Sequence, residues 1–173
     1  MDTLQFYAFS ANKKAGEGVG DIINDHSEYT KLNKITNWRR MFSSFWSEDP
    51  FVFEGNTYLS FEHAYQSSKY RINGYEEIAY KFTIESGDVI SKQTGKDVQR
   101  AGRLVKLNKF EIALWDHEMR NIKNSIYNAK FTKTSRPGKA LIATGNAILI
   151  NAGPRIKRIR CTRLESLRAR LLE

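Results

Sequence analysis

The segment Ser60-Phe61-Glu62-His63-Ala64-Tyr65-Gln66-Ser67-Ser68-Lys69 carries most of the information in this chain. Ser60 is suited to cap a helix, because its hydroxyl accepts from the orphan amides of a first turn. That helix is expected to run to about Arg71. Phe61, Ala64, Tyr65 and Ser68 then share one side at offsets of three and four, while Glu62, Gln66 and Lys69 share another. Seven residues at about 100° each bring Lys69 back to within about 20° of Glu62. A carboxylate, an amide and an amine thus occupy one face. In an anonymous amphipathic helix such a face is ordinarily solvated; the alternative is a reactive site.

Working outward, Phe51-Val52-Phe53 and Thr57-Tyr58-Leu59 form a hairpin around Glu54-Gly55-Asn56, with Gly-Asn as its turn chemistry. Further helices are expected over Tyr75 to Ile84, Asp97 to Val105 and Asn108 to Lys130, the last with Phe110, Leu114, Ile122 and Ile126 near the helical period. A short helix over Lys139 to Thr144 follows Pro137-Gly138 and can end at Gly145. Leu4 to Phe9, Ala147 to Ile150 and Arg155 to Cys161 read as strands. Thr162-Arg-Leu-Glu165 has the pattern of a capping box opening a last helix. Ser10 to Asp21 is a loop, Asp21 to Lys34 is weakly helical, and Trp38 to Trp46 is too aromatic for a linker. Helices and short strands that do not alternate regularly point to an α+β, mainly helical single domain over residues 1–173, with a small mixed or antiparallel sheet.

The 173 residues are 40% hydrophobic and 27% charged, as in one globular domain. No apolar run approaches the ~18 residues of a bilayer span, and the N-terminus has no signal-peptide pattern. The single Cys161 and three scattered histidines offer neither a disulfide nor zinc spacing. A cytoplasmic setting with no metal and no cofactor is the expectation. The net charge of +9 points to an anionic partner such as a nucleotide, a sugar phosphate or nucleic acid. From Arg155 to Glu173 seven basic residues face two acidic ones, a net of +5. That stretch reads as a nucleic-acid-binding tail or as a folded strand and helix with a solvated basic face.

Other candidates divide the same way. Gly18, with Gly16 and Gly20, belongs either to a phosphate cradle or to a plain connection; the Gly-Lys-Ser/Thr ending of a P-loop is absent. Trp115 could stack on a base or fill a core, and Trp46 could wall a nucleotide pocket or do the same. Arg100 and Arg103, three apart, could share one phosphate or be solvated. His63 reads as a core histidine and Cys161 as a buried small hydrophobe in a strand.

Together, Phe42-Ser-Ser-Phe-Trp46, Tyr58 to Lys69, Arg100-Ala-Gly-Arg103, Trp115, Met119, Ala129-Lys-Phe131 and Leu141-Ile-Ala-Thr-Gly145 resemble the NADAR superfamily over nearly the whole chain. That family includes N-glycosidases of riboflavin-pathway intermediates and proteins that remove ADP-ribose from guanine. The opening Phe6-Tyr-Ala-Phe-Ser with Ala15 to Asp21 looks like the branch met in large DNA viruses and phages, which would place the protein in a host cytoplasm. The resemblance implies catalytic roles for Glu62 and Lys69 and a Schiff-base route through the lysine. It also implies functional roles for Trp115, Arg100 and Arg103, beside which Trp46 and Gln66 stand as further candidates for substrate contact. The expected substrate is a phosphorylated ribosyl or ADP-ribosyl group, free or attached to nucleic acid. Two departures stand out: Ser44 replaces the usual Asn of Phe-Ser-Asn-Phe, and Asn151-Ala-Gly-Pro-Arg155 lacks the acid and tryptophan of a late Asp-x-x-Trp-Gly element. They leave room for an ADP-ribose-binding module without hydrolase activity. A nucleic-acid-binding protein is the third reading.

Overall fold

A computed structural model covers residues 1–173. In chain order the elements are β1 (Thr3–Phe6), α1 (Trp38–Met41), β2 (Phe51–Phe53), β3 (Asn56–Tyr58), α2 (Phe61–Ile72), α3 (Glu76–Tyr80) and α4 (Lys96–Ala101). They continue with α5 (Lys109–Lys130), α6 (Arg136–Ala143), β4 (Ile148–Gly153), β5 (Ile156–Arg160) and α7 (Thr162–Leu172). The class is α+β and mainly helical. The chain forms two compact units, one of Met1–Ser44 with Phe131–Glu173, the other of Phe45–Lys130.

The first unit holds a three-stranded mixed sheet in the order β1-β4-β5, with β1 parallel and β5 antiparallel to the central β4. Leu4 and Phe6 on β1 and Leu149 on β4 share one buried face, and Trp38, Met41, Phe42, Phe131, Leu141, Leu164 and Leu167 are buried in the same unit. The strand expected to reach Phe9 stops at Phe6, because Ser10 folds back to accept the Tyr7 amide with its hydroxyl. The Ser10–Asp21 loop is closed by one ion pair. Arg39, on α1, donates both terminal nitrogens to Asp21 at 2.6 and 2.9 Å, and its remaining donors go to the carbonyls of Gln5, Lys13 and Lys14. Asp21 in turn accepts the amides of Gln5, Gly16 and Gly18. Both side chains are buried, so each charge depends on the other for solvation.

Three sequence expectations are corrected here. The weakly helical stretch Asp21 to Lys34 holds two short 3-10 helices, His26–Tyr29 and Leu32–Lys34, in place of an α-helix. The capping box of α7 does not form: Cys161 is the residue before the helix, and Glu165 instead accepts the Leu149 amide and pairs with Arg160. Cys161 sits just past β5 and is only half-buried. In β5 every residue is exposed, Ile156 and Ile159 included, so the basic stretch is a folded strand and helix whose isoleucines lie outside the core.

The second unit packs the β2–β3 hairpin, α3, α4 and α5 around α2. The hairpin turn is Glu54-Gly55, one residue earlier than expected. Both adopt positive φ (48° and 81°), the twist-matched geometry of a two-residue hairpin, and Asn56 pairs with Phe53. Phe51, Phe53, Tyr58, Phe61, Ala64, Tyr70, Phe82 and Ile126 form its core. In α5 the expected stripe fails at its start, since Phe110 and Leu114 are exposed while Trp115, Ile126 and Lys130 are buried. Sixteen residues of helix rotate Phe110 about 160° from Ile126, whereas Trp115 lies within about 20° of it.

The Asp21–Arg39 pair makes a direct prediction for the first unit. Asp21→Ala leaves a buried guanidinium unpaired, so urea unfolding should show a loss of about 3–5 kcal/mol. A loss no greater than the ~1 kcal/mol of a surface pair would refute that role.

Candidate active site

The helix α2 begins where expected and is buried on nearly every side. Ser60 caps it, accepting the His63 amide at 3.3 Å, while its Oγ also lies 2.8 Å from His63 Nδ1. With His63 Nε2 at 3.0 Å from the Ile90 carbonyl, the imidazole is satisfied at both nitrogens when Nε2 carries the proton. Burial holds its pKa below the ordinary value. His63 is therefore the core histidine the sequence described. Ser67 and Ser68 spend their hydroxyls on the carbonyls of Ala79 and Ala64. The remaining polar face of this helix is that of Glu62, Gln66 and Lys69.

That face is not solvated. Glu62 is 6% exposed and Gln66 7%, and Gln66 Nε2 donates to Glu62 Oε1 at 2.7 Å. Burial raises the Glu62 pKa above the usual carboxylate value; the Gln66 hydrogen bond and the charges of Lys69 and Lys123 oppose that rise without cancelling it. Lys69, one turn further on and half-buried, donates through Nζ to the Gly102 carbonyl. Burial and the neighbouring Arg103 lower its pKa, against the pull of Glu62. Acid and amine are thus displaced toward each other, each toward its neutral form.

Gly102, absent from the sequence-derived list, links the two. Its carbonyl holds the amine, and a side chain at this position would collide with the Gln66 carboxamide. The only sequence signal for it was its place inside Arg100-Ala-Gly-Arg103. Within that segment the two arginines differ: Arg103 lies close enough to bias Lys69, whereas Arg100 forms an exposed pair with Asp97 at 3.0 Å.

Trp115, on α5, is 6% exposed with its ring centroid 4.9 Å from that of Tyr65. Tyr65 also reaches Met119 Sδ through its hydroxyl, and Lys123 Nζ lies 5.1 Å from its ring centroid. Lys123 is a second residue that sequence reasoning missed. Trp46 is 7% exposed and donates its indole N–H to Asp49 at 2.6 Å. Asp49 also acts on Lys130, another missed residue, whose pKa burial pulls down to about 7 against the attraction of that carboxylate. Gly18 belongs to the other unit. Its amide is spent on Asp21 and its Cα packs on the Arg39 guanidinium, beside a cleft of about 200 Å³ lined by Tyr7, Phe9 and Lys13. No three His, Cys, Asp or Glu side chains converge as metal ligands would, and no helix is long and apolar enough to cross a membrane.

Among known proteins, no curated protein and no solved structure matches this chain. The sequence model of one family does, the NADAR domain, over residues 26–157. The match includes Glu62, Gln66, Lys69, Gly102, Trp115 and Lys130 and covers well over half of the chain, an assignment consistent with the α+β architecture and with N-glycosidase-type chemistry. The chain belongs to the NADAR family.

Proposed function

We propose that this protein is an N-glycoside hydrolase that cleaves the C1–N bond of a phosphorylated ribosyl group, such as ADP-ribosylated guanine or a ribosylaminopyrimidine phosphate. The observation that carries this reading is a single one. A carboxylate and an amine, both drawn from water, share one face of α2 and are tied together through Gln66 and Gly102.

Each group has a role that follows from its surroundings. Breaking the C1–N bond builds positive charge on C1 and the ring oxygen, which the Glu62 carboxylate stabilises in a site shielded from water. Its raised pKa also suits it to pass a proton to the departing nitrogen. Lys69, biased toward the neutral amine, attacks C1 with its lone pair as the bond to the leaving nitrogen breaks. Opening of the ribose then breaks the bond between C1 and the ring oxygen, which takes up a proton, and C1 and Nζ are left joined as an imine. Water adds to that imine and releases the sugar aldehyde and the free amine. Trp115 with Tyr65 supplies an aromatic wall, and Arg103 a cation for phosphate. Trp46 and Arg100 are weaker contributors: their polar groups are engaged by Asp49 and Asp97.

The residues 151–155 favour a second reading. Asn151 stands in β4, paired with Phe6 and Ile159, and neither an acid nor a tryptophan follows. An ADP-ribose-binding module without turnover would bind ADP-ribose in titration calorimetry and release no product from the same preparation.

Two experiments test the enzymatic reading. Glu62→Ala and Lys69→Ala should each lower turnover of ADP-ribosylated guanine nucleotide or a ribosylaminopyrimidine phosphate by at least about 100-fold with folding retained; wild-type rates in both would remove them from the site. Borohydride added during turnover should trap the imine as a secondary amine on the Lys69 peptide, absent in Lys69→Arg. A lysine must lose its proton to attack, so the yield should climb between about pH 6 and 9, as an amine deprotonating from a reference value near 10.4 requires, and burial of Lys69 favours the neutral amine. Full turnover without adduct at any pH would leave Glu62 and an activated water as the mechanism.

A further inference from the structure

The carboxamide of Gln66 has two ends with different fates. Its nitrogen donates to Glu62 at 2.7 Å. Its oxygen is buried and has no hydrogen-bond partner, in a residue only 7% exposed. With Glu62 ionised, reversing the amide would set oxygen against the carboxylate, so in that form of Glu62 the oxygen is the end left over. Two neighbouring groups supply it no donor. Gly102 presents its Cα, with no side chain to donate, and the Lys69 ammonium is turned to the Gly102 carbonyl. Buried carbonyl oxygens are nearly always satisfied, and an exception asks for a reason.

We propose that Gln66 determines sugar specificity: its Oε1 accepts a hydrogen bond from the 2-hydroxyl of a bound ribosyl group, so that ribose is selected over 2-deoxyribose. The inference rests on the reading that Glu62 and Lys69 face C1. An acceptor excludes phosphate and ether oxygens and requires an O–H or N–H from the ligand. The two ends of an amide are about 2.3 Å apart, so the acceptor lies one short step from the group that holds Glu62. On a ribosyl ligand with C1 presented to Glu62, the donor one carbon away is the 2-hydroxyl, while the 3-hydroxyl is a carbon further. Gly102 keeps the amide in place by leaving room for it. A site built to receive a hydroxyl rejects the analogue that lacks it, because its own polar group then stays unpaired.

Titration calorimetry on the full chain tests this with ribose 5-phosphate, 2-deoxyribose 5-phosphate and 3-deoxyribose 5-phosphate. ADP-ribose serves as a larger ligand carrying the same 5-phosphorylated sugar. Wild type should bind the 2-deoxy sugar about tenfold or more weakly than ribose 5-phosphate and the 3-deoxy sugar within about threefold. Gln66→Met, which keeps volume without an acceptor, should bring the ribose to 2-deoxyribose ratio to within about threefold. Equal binding of ribose and 2-deoxyribose by wild type overturns the proposal and leaves the ribosyl reading standing. Discrimination undiminished in folded Gln66→Met does the same. Should that variant not fold, the wild-type series decides, and a 3-deoxy penalty as large as the 2-deoxy penalty overturns it. Binding of none of the four ligands overturns the ribosyl reading and this proposal together.

Discussion

A carboxylate removed from water governs the second unit. Glu62 sits one residue into α2, on a helix whose other positions are taken up by packing. A buried charge must be matched locally or neutralised. Here the match comes from Gln66 one turn on, from the amine of Lys69 and from Lys123 on α5. Each of those choices constrains another. Placing the Gln66 amide requires the absence of a side chain at residue 102, and the same residue's carbonyl then holds Lys69. The short segment after α4 is therefore part of the site by necessity, although it carries no reactive group of its own.

The first unit solves a similar problem differently. Arg39 and Asp21 are both buried, and the ion pair is completed by backbone groups of β1 and of the Ser10–Asp21 loop. Every donor of the guanidinium is used. The glycine-rich segment thus closes on its own carboxylate, and its amides stabilise a resident anion in Asp21. Of the three glycines that left a phosphate cradle or a plain connection open in one dimension, Gly16 and Gly18 give their amides in three to a structural charge.

Much of the architecture was legible because it follows from local chemistry. The Ser60 cap, the extent of α2, the hairpin before it and the long α5 all arise from residues within a few positions of one another, where capping, turn and periodicity rules operate. The departures also have physical causes. The hairpin turn moved by one residue because Glu54 accepts a positive φ beside Gly55. The Thr162–Glu165 box gave way because Glu165 found a strand amide and Arg160. Phe110 fell outside the buried stripe because an approximate repeat drifts over four turns. In the candidate site, the sequence pointed to Glu62, Gln66 and Lys69, while Gly102 and Lys123 act on residues distant along the chain and left no periodic signal.

The sequence alone determined that Glu62, Gln66 and Lys69 share one helical face, since 3.6 residues per turn leave no other outcome once a helix forms. It determined too the family to which that helix belongs, through motifs whose order survives without coordinates. Only the tertiary structure decided that this face is buried. Burial depends on which elements cover a surface, and those come from α4, α5 and the segment around Gly102. That decision converts three ordinary surface residues into a displaced acid, a displaced amine and an unpaired acceptor, because the cost of charge and of unmet hydrogen bonds is set by the distance to water.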